Sequence, residues 1–347
     1  MQDPTLSKPA NLTWKGPTIV EIAAESGVGT ATVDRVVNNR GNVRAVTRQK
    51  VMGAIERLGK STAQTAAPKP RIIRFFCDSG VSFSRSLQAA VDDYCNTRSD
   101  VQCPFHTVPT SKVDTIKFAQ LIEQSAENSD GMVIVSRENL TVNRVLRTLA
   151  ARKIPLVCIT TDLPNSGRTA YVGNDQVSAG AAAAYLMGQA AGDKVGNILM
   201  VYSAPYRGQE ERELGFRRVL RAEFPHLDID DRVNSADESD NSYRHVMRHI
   251  EEHGPPIGIY NVAAGNIGIG RALSESGLAG KVIFIGHELN SNSRQLLESG
   301  VMNFVIGHDV DREVAQSIEY ILAILDKRPP PPLSPTKIRI ITKFNCL

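Results

Sequence analysis

The sequence predicts a small all-α helix-turn-helix headpiece followed by an α/β body of two doubly wound parallel-sheet lobes. The segment 18–39, TIVEIAAESGVGTATVDRVVNN, has the pattern of two short helices joined at a glycine. From residue 71 onward, short apolar runs alternate with stretches of helical period, which is typical of parallel sheets covered by helices. The chain has 347 residues, so a headpiece of about 60 leaves enough length for two medium lobes.

Thr18 begins the first predicted helix of the headpiece. Its hydroxyl can cap the helix, and Glu21 three residues later completes a capping box. The apolar residues from Ile19 onward recur at helical spacing, and Gly27 ends the helix because glycine adopts a left-handed backbone most easily. A third helix is predicted over residues 46–58.

The second predicted helix starts with small and hydroxyl-bearing side chains. Its opening positions are Gly29, Thr30, Ala31 and Thr32. Small residues let a helix enter the major groove of DNA deeply, and threonine hydroxyls can bond phosphates or base edges there. Arg35 lies on the outer face, where it could reach guanine or a phosphate. Similar helix pairs also occur in proteins that do not bind DNA, so this segment alone leaves both interpretations open.

The sequence pattern from residue 71 onward predicts a body of two lobes with a cleft between them. Apolar runs such as RIIRFFCD, VQCPFHTV and PLVCITT predict strands of the first lobe, and a second alternating set follows a crossing at YVGND, residues 171–175. Open α/β sheets bind ligands at the carboxyl ends of their strands. We therefore expect a ligand between the lobes.

Composition divides the chain into four segments. We expect a disordered tail over 1–16, the headpiece over 17–60, a linker over 61–70, and a ligand-binding and dimerisation domain over 71–343. The linker, STAQTAAPKP, is small, polar and proline-containing.

Positive charge is concentrated at the amino-terminal end. Residues 1–60 hold nine Lys/Arg and five Asp/Glu, a formal +4, and the remaining chain holds 31 against 32, a formal −1. This distribution is expected if only the headpiece touches a polyanion such as DNA.

The cysteines and the apolar runs indicate a cellular location. The five cysteines are widely spaced without a CxxC motif, which favours free thiols; a functional disulfide between Cys95 and Cys103 is the lesser alternative. No apolar run is long enough for a membrane span, and the first fifteen residues lack the apolar core of a signal peptide. We expect a cytoplasmic protein without membrane contact.

Motifs for cofactors, metals and catalysis are weak. The glycines of AAGNIGIGRAL stand in the reverse of the dinucleotide-binding order, which favours helix packing. A histidine series at helical spacing could hold zinc, but its Arg and Glu neighbours favour a solvated basic surface: His245, His249 and His253. No motif gathers a nucleophile, a base and an orienting acid. We expect no cofactor, no metal and no enzymatic activity.

Residues 17–59 resemble the headpiece of the lactose-repressor (LacI/GalR) family. The matching stretches are TIVEIAAESGV, TATVDRVVNN and VRAVTRQKVMGAIERLG. The resemblance implies that the second helix reads bases through Thr30, Ala31 and Arg35. It also implies phosphate or register contacts by Thr18, Thr32, Asn38 and Thr47.

Two features depart from the family pattern. The family usually has serine where this chain has Gly29, and often serine where it has Asp34, so a phosphate contact is lost and a negative charge is added near the groove. In the family, a short hinge helix places an apolar wedge in the minor groove. The segment 61–70 has no leucine for that role, so we expect a different or weaker coupling between ligand and DNA.

Residues 71–343 resemble the periplasmic sugar-binding fold that serves as the effector domain in the same family. The likeness is clearest in TTDLPNSGRTAYVGNDQVSAG, ERELGFRRVL and FIGHELNSNSRQLLESG. The resemblance implies ligand-binding positions near strand ends: Phe83, Ser136, Asp162, Asp175, Arg212, Asn261, Glu288 and His308. Structural alternatives exist, since the two aspartates also suit helix caps and Phe83 also suits the core.

These observations together predict a ligand-responsive transcriptional regulator. We expect a repressor that binds a pseudo-palindromic operator in double-stranded DNA as a homodimer and senses a small-molecule effector, a monosaccharide or polyol. One alternative is a solute-binding protein of a sugar uptake system, which would carry a signal peptide and no helix-turn-helix. The other is a sugar-processing enzyme, which would need a catalytic constellation.

Overall fold

The computed structural model describes residues 17–41, 43–65 and 69–346, apart from the side chains of residues 59–65 and 230–231. The chain folds as two units, Met1–Lys69 and Pro70–Leu347. The tail predicted over 1–16 lies outside the described residues.

The headpiece is a three-helix unit with its own small core. Its helices are α1 (Ile19–Ser26), α2 (Thr30–Val37) and α3 (Ala45–Thr65). Both halves of the capping box between Thr18 and Glu21 are present, and Gly27 has a left-handed φ of 66°. A core of five buried side chains holds the helices together: Ile22, Val33, Val36, Val51 and Ala54.

Helix α3 is longer than its apolar pattern predicts. It continues to Thr65, so the first five residues of the predicted linker 61–70 are helical. The prediction ended the helix at Leu58, the last core-facing position. Backbone hydrogen bonding continues past that point because the next residues lack proline. Residues 66–68 lie outside the described residues.

The first lobe of the body contains a parallel sheet ordered β2-β1-β4-β5-β6, with β3 pairing on β1. Its strands are β1 (Arg71–Ser79), β2 (Val101–Gln102), β3 (Phe105–Pro109), β4 (Gly131–Val135), β5 (Leu156–Ile159) and β6 (Ala170–Val172), and its helices are α4 (Val81–Asn96), α5 (Thr115–Ser125) and α6 (Leu140–Ala151).

The strand predicted over VQCPFHTV is interrupted in the structure. It divides into β2 and β3 at the segment containing Pro104, because proline has no N–H to donate to a ladder. The carbonyl of Pro104 still accepts a hydrogen bond from the N–H of Phe75 at 2.9 Å, so both pieces remain on β1.

The second lobe contains the sheet β12-β11-β10-β9-β7-β8. Its strands are β7 (Gly196–Tyr202), β8 (Leu227–Asn234), β9 (Gly258–Asn261), β10 (Ile283–His287), β11 (Phe304–Gly307) and β12 (Arg339–Ile341). Its helices are α7 (Gln176–Ala191), α8 (Arg207–Glu223), α9 (Ser239–His253), α10 (Asn266–Glu275) and α11 (Ser291–Glu298). Strand β12 is antiparallel to β11, so one edge of this sheet departs from the predicted parallel pattern.

Three connections join the lobes. The first, residues 173–175, runs from β6 to α7, as the YVGND crossing predicts. The second, residues 308–309, leads to α12 (Val310–Leu325), which returns to the first lobe and packs Val314 and Ile318 into its core. The third, residues 326–338, leads back to β12. The first and third lie together, since the N–H of Thr336 donates to the carbonyl of Gly173 at 3.0 Å.

Helices α7 and α8 touch backbone to backbone. A methyl group at Gly180 would lie 1.8 Å from the carbonyl oxygen of Arg212, and one at Gly215 would lie 1.9 Å from that of Val177. No side chain fits in so small a space. The two glycines therefore set the depth at which α8 carries Arg212 into the space between the lobes.

Candidate DNA-reading helix and ligand cleft

Helix α2 has an exposed polar face opposite its buried valines. Thr30, Ala31, Arg35 and Asn38 are exposed, and Thr32 is half-buried. Arg35 makes no ion pair with another described residue, so its guanidinium is available to a phosphate or a base. This exposed stripe is the arrangement that a recognition helix needs.

Asp34 is already neutralised within the headpiece. Its carboxylate accepts hydrogen bonds from the side-chain amide of Asn38 at 2.7 Å and from Arg40 at 3.0 Å. The added negative charge is therefore offset locally, although the amide of Asn38 is engaged. The hydroxyl of Thr18 is likewise engaged in the capping box with Glu21.

Gly29 caps α2 without a side chain. Its φ of −60° and ψ of 145° are ordinary for an N-cap, and a methyl group there would meet nothing within 4 Å. A serine would therefore fit at this position and bond the first turn of the helix. Thr47, on the first turns of α3, is half-buried.

Three adjoining cavities lie between the two lobes of the body. The largest of the three has a volume of about 280 Å³ and includes Arg85, Asp237 and Glu288. The one beside the connections has about 240 Å³ and includes Phe83, Glu288 and His308. The smallest, called here the innermost because it contains the buried Arg212, has about 50 Å³ and also includes Phe83 and Glu288. Glu288 borders all three, so the cavities form one cleft around its carboxyl group.

Arg212 enters the cleft as a fixed, buried cation. Its Nε donates to the side-chain oxygen of Gln176 at 2.7 Å, and its Nη1 donates to the carbonyl of Val262 at 3.1 Å. Gln176 in turn donates to the carbonyl of Thr160 in the first lobe at 2.8 Å. The remaining terminal nitrogen, Nη2, makes no hydrogen bond with the described residues and is available to a ligand.

Glu288 and His308 both face the cleft, the first as a hydrogen-bond acceptor and the second as a donor. Burial raises the pKa of Glu288, and the positive charge of Arg212 partly offsets this. Nδ1 of His308 lies 2.8 Å from the carboxylate of Glu313, while its buried Nε2 has no partner among the described residues. Burial disfavours the charged imidazole, but the charge and hydrogen bond of Glu313 raise the pKa of His308 overall. The cleft thus offers a ligand an acceptor and a donor.

Left-handed backbone is concentrated at the strand ends that line the cleft. Thr160 after β5, Asp237 after β8 and Glu288 after β10 have φ values of 64°, 60° and 68°. Such conformations cost about 1–3 kcal/mol each for residues other than glycine and cluster at functional sites. The strain directs these side chains or carbonyls toward the space between the lobes.

A network that the sequence did not indicate holds the lobes together. The guanidinium of Arg137 bonds both carboxylate oxygens of Asp78 at 2.7 Å. The hydroxyl of Tyr206, from the second lobe, lies 3.0 Å from Asp78 and 2.9 Å from the hydroxyl of Thr110. Thr110 also lies 2.5 Å from Asp237 of the second lobe. The lobes are therefore closed on one another.

Asp78 and Asp237 lie at strand ends, and this position in the sequence could have marked them as candidate cleft residues. Arg137 and Tyr206 carry no such signal, because their partners are distant in the chain.

The structure places four predicted ligand residues outside the three cavities. Asp162 is paired with Arg168 and bonds the N–H of Leu163 at 2.7 Å. Asp175 is exposed and caps α7 through Ser178. Neighbouring groups of the protein thus already satisfy both carboxylates.

Ser136 and Asn261 are also satisfied internally. The hydroxyl of Ser136 donates to the carbonyl of Arg137 at 3.1 Å, and the residue is buried. The amide of Asn261 bonds Ala264 and Asn266, and its oxygen accepts from Ala263. Asn261 shapes the loop after β9 and does not face the cleft. Phe83, Arg212, Glu288 and His308 are the predicted residues that the structure brings together.

The described residues contain no group of three or more His, Cys, Asp or Glu side chains that could hold a metal ion. In the same part of the chain, no helix is both long and apolar enough to cross a membrane.

A helix-turn-helix headpiece attached to a two-lobed binding domain defines the class of this protein. Residues 18–60 match the family model of bacterial regulatory proteins, lacI family, and residues 76–329 match that of the periplasmic binding protein domain. The chain belongs to the periplasmic binding protein domain family through its body, and it carries a lacI-family helix-turn-helix domain ahead of that body.

Two curated relatives share parts of the chain. The HTH-type transcriptional regulator DegA of Bacillus subtilis (strain 168) is 28% identical over 168 residues, which is 42% of this chain and 44% of DegA. Catabolite control protein A of Priestia megaterium is 55% identical over 42 residues, 12% of this chain and 13% of the relative. The matched regions thus span less than half the length of either relative.

Solved structures show the same fold in the body. A glucose-galactose binding protein from Geobacillus stearothermophilus, GanP, has a TM-score of 0.72 at 16% identity, covering 80% of this chain and 98% of that one. An Agrobacterium vitis transporter solute-binding protein with bound D-fucose has a TM-score of 0.73 at 19% identity, covering 79% and 96%. At these identities the likeness establishes the fold alone.

Proposed function

We propose that this protein is a transcriptional repressor whose DNA affinity changes when a monosaccharide or polyol binds between the two lobes of its body. The observation that carries the proposal is the pairing, in one chain, of an exposed recognition helix with a cleft where Arg212, Glu288, His308 and Phe83 converge.

The DNA half of the proposal is supported by the exposed stripe on α2. Arg35 is the base-reading cation, Thr30 and Ala31 contact base edges, and Thr32 and Thr47 contact the backbone. Thr18 and Asn38 would contact phosphates by exchanging hydrogen bonds that their side chains and backbone N–H groups now make within the headpiece. One such helix reads few base pairs, so a homodimer on a pseudo-palindromic operator supplies the specificity a genome requires.

The ligand half is supported by the chemistry of the cleft. A sugar offers hydroxyls that both donate and accept, which suits the carboxyl group of Glu288 beside the donors Arg212 and His308. Phe83 offers an apolar face to the C–H side of a ring. The innermost cavity of about 50 Å³ holds only one or two water molecules in this closed form. A sugar that reaches Arg212 therefore requires this cavity to widen, and the lobes shift only as far as the sugar's affinity differs between the two forms.

A melting-temperature screen tests the ligand class. D-fucose, D-arabinose and D-allose are suitable first probes, since they occur in structurally similar proteins. A sugar at about 100 times its dissociation constant should add about 2.7 kcal/mol of stability, which raises the melting temperature by roughly 5–10 °C. Failure of all tested pentoses, hexoses and polyols would contradict the ligand class.

Two variants sharpen that screen. Glu288→Gln should strongly reduce the sugar-induced rise, because it removes the charged acceptor from the centre of the cleft. Asp175→Asn should leave the rise unchanged, because Asp175 is an exposed helix cap outside the cavities. Equal loss in both variants would show that the cleft is not the binding site.

Selection of bound sequences from a random DNA pool tests the proposed DNA binding. We expect a two-fold symmetric sequence whose affinity falls steeply with salt. An enriched sequence without symmetry would argue against the dimer, and no enrichment would argue against DNA reading.

A further inference from the structure

Three oxygen–oxygen contacts link an acidic residue of each lobe. The hydroxyl oxygen of Thr110 lies 2.5 Å from Oδ2 of Asp237 and 2.9 Å from the hydroxyl oxygen of Tyr206. The Tyr206 oxygen lies 3.0 Å from Oδ1 of Asp78. Asp78 and Thr110 belong to the first lobe, and Tyr206 and Asp237 belong to the second. All three contacts therefore exist only while the lobes are closed.

The geometry fixes how many hydrogens must lie between the four side chains Asp237, Thr110, Tyr206 and Asp78. Each contact needs one hydrogen between its two oxygens, and each hydroxyl supplies only one. Thr110 and Tyr206 together supply two hydrogens for three contacts. The third hydrogen must come from one of the two carboxyl groups. If both were ionised, two oxygens would face each other without a hydrogen between them.

Asp237 is the carboxyl group that can hold this proton. Asp78 is paired with the guanidinium of Arg137 through both oxygens, which favours its charged form. Asp237 has no cationic partner among the described residues, and the N–H of Ala264 donates to its Oδ1 at 2.8 Å. Its Oδ2 is left to carry a proton toward Thr110. Burial raises the pKa of Asp237 above its ordinary value, and this outweighs the hydrogen bonds with Thr110, Ala264 and Ser203, which lower it.

The charged groups around Asp237 also favour its protonated form. The other titratable groups near Asp237 are Cys77, Arg85, Glu238, Asp240, His287 and Glu288, of which Asp240 is exposed and paired with Arg271. Burial holds the thiol of Cys77 and the imidazole of His287 in their neutral forms, with a raised pKa for the first and a lowered pKa for the second. The two glutamates disfavour a further negative charge on Asp237, and among these residues only Arg85 opposes them.

We propose that closing the two lobes takes up one proton, which Asp237 holds in the chain Asp237–Thr110–Tyr206–Asp78. When the lobes separate, the three contacts break and water solvates Asp237. The proton is then released to solvent at neutral pH, because an exposed aspartate ionises at about pH 3.9. Closure therefore weakens as the pH rises through the pKa that Asp237 has in the closed form.

Asp237→Asn is the informative substitution. The asparagine oxygen can accept the N–H of Ala264, and its amide group can donate to Thr110, so the side chain imitates the protonated carboxyl group permanently. The radius of gyration of the full-length protein without ligand can be measured by X-ray scattering from about pH 5.5 to about pH 8.5. We expect the wild type to expand as the pH rises and the Asp237→Asn protein to stay compact.

The matched control is Asp240→Asn. Asp240 lies at the same cavity, its side chain is 79% exposed, and it pairs with Arg271 of its own lobe. This variant should follow the wild type at every pH. Because the headpiece is common to all variants, differences between them report on the lobes. A wild type that does not expand with pH, or an Asp237→Asn protein that expands with it, would overturn the proposal.

Thermal melting gives a second readout. A carboxyl group with a raised pKa contributes stability at low pH that is lost as the pH rises toward its folded-state pKa. The melting temperature of Asp237→Asn should therefore rise relative to wild type, by about 3–5 °C for each pH unit in that window. If Asp237→Asn does not fold, Thr110→Val removes the middle of the chain, and its radius of gyration should be larger and independent of pH.

A calorimetric titration connects the proton to ligand binding, and this experiment alone rests on the proposed function. With a sugar that raises the melting temperature, the wild type should take up close to one proton per site at about pH 7.5. Asp237→Asn should take up none. If no sugar binds, the ligand class fails while the scattering result still decides whether closure is linked to a proton.

Discussion

Gly180→Ala perturbs the helix contact that positions Arg212. The added methyl group would lie 1.8 Å from the carbonyl oxygen of Arg212, where a real contact is at least 3.0 Å. Helix α7 and helix α8 must therefore move apart by more than about 1 Å, because the obstacle is backbone and cannot rotate away.

The expected cost follows from that geometry. Overpacking a tight contact costs about 1–3 kcal/mol, while replacing glycine by alanine within a helix returns up to about 1 kcal/mol. We expect a net loss of about 1–2 kcal/mol, which lowers the melting temperature by roughly 2–8 °C. The displacement of Arg212 should also weaken sugar binding, since a ligand contact displaced by about 1 Å can cost orders of magnitude.

Gly208→Ala on helix α8 is the matched control for stability; sugar binding is compared with wild type, because Gly208 borders the same cavity as Arg212. A methyl group at Gly208 meets its nearest atom at 3.5 Å, an ordinary contact. Its melting temperature should be unchanged or slightly higher. Melting curves with and without sugar measure both effects. A Gly180→Ala protein that is as stable as Gly208→Ala and binds sugar as tightly as wild type would refute the proposed role of this contact.

Three further substitutions have clear expected outcomes. Arg35→Ala should reduce operator affinity, relax sequence preference and lower the salt dependence; unchanged gel shifts on all three counts would show that α2 is not the reading helix. Gly29→Ser should stabilise the headpiece by a few tenths of a kcal/mol and strengthen DNA binding, and weaker binding would contradict the helix-cap reasoning. Asp78→Asn should cost about 3 kcal/mol in urea unfolding because it leaves Arg137 without its buried partner; a cost below about 0.5 kcal/mol would show that the ion pair is not needed.

Much of the fold could be predicted from apolar periodicity. The alternation of strands and helices and the crossing at residues 171–175 are local patterns, and the structure has them. Strand β12 was missed because three residues after a proline-rich segment give almost no signal. Helix α8 begins at Arg207, one turn before the stretch ERELGFRRVL, and its polar, charged first turn has no apolar residue to mark that start.

The cleft could be predicted only in part. Glu288 and His308 follow strands directly, and the family resemblance pointed to both positions. Asn261 follows a strand in the same way but turns inward to Asn266, which no sequence pattern distinguishes. The contact between Asp78 and Tyr206 joins residues 128 positions apart, and such a pairing becomes visible only when the lobes are in place.

The most direct test of a sugar-controlled DNA reader is to measure its DNA dissociation constant with and without the sugar that raises its melting temperature. A selected two-fold symmetric operator and a fixed salt concentration are needed, because salt alone changes the affinity. We expect the sugar to change the dissociation constant by about 5- to 150-fold in wild type and much less in Glu288→Gln. A constant that the bound sugar leaves unchanged would contradict coupling between the cleft and the headpiece.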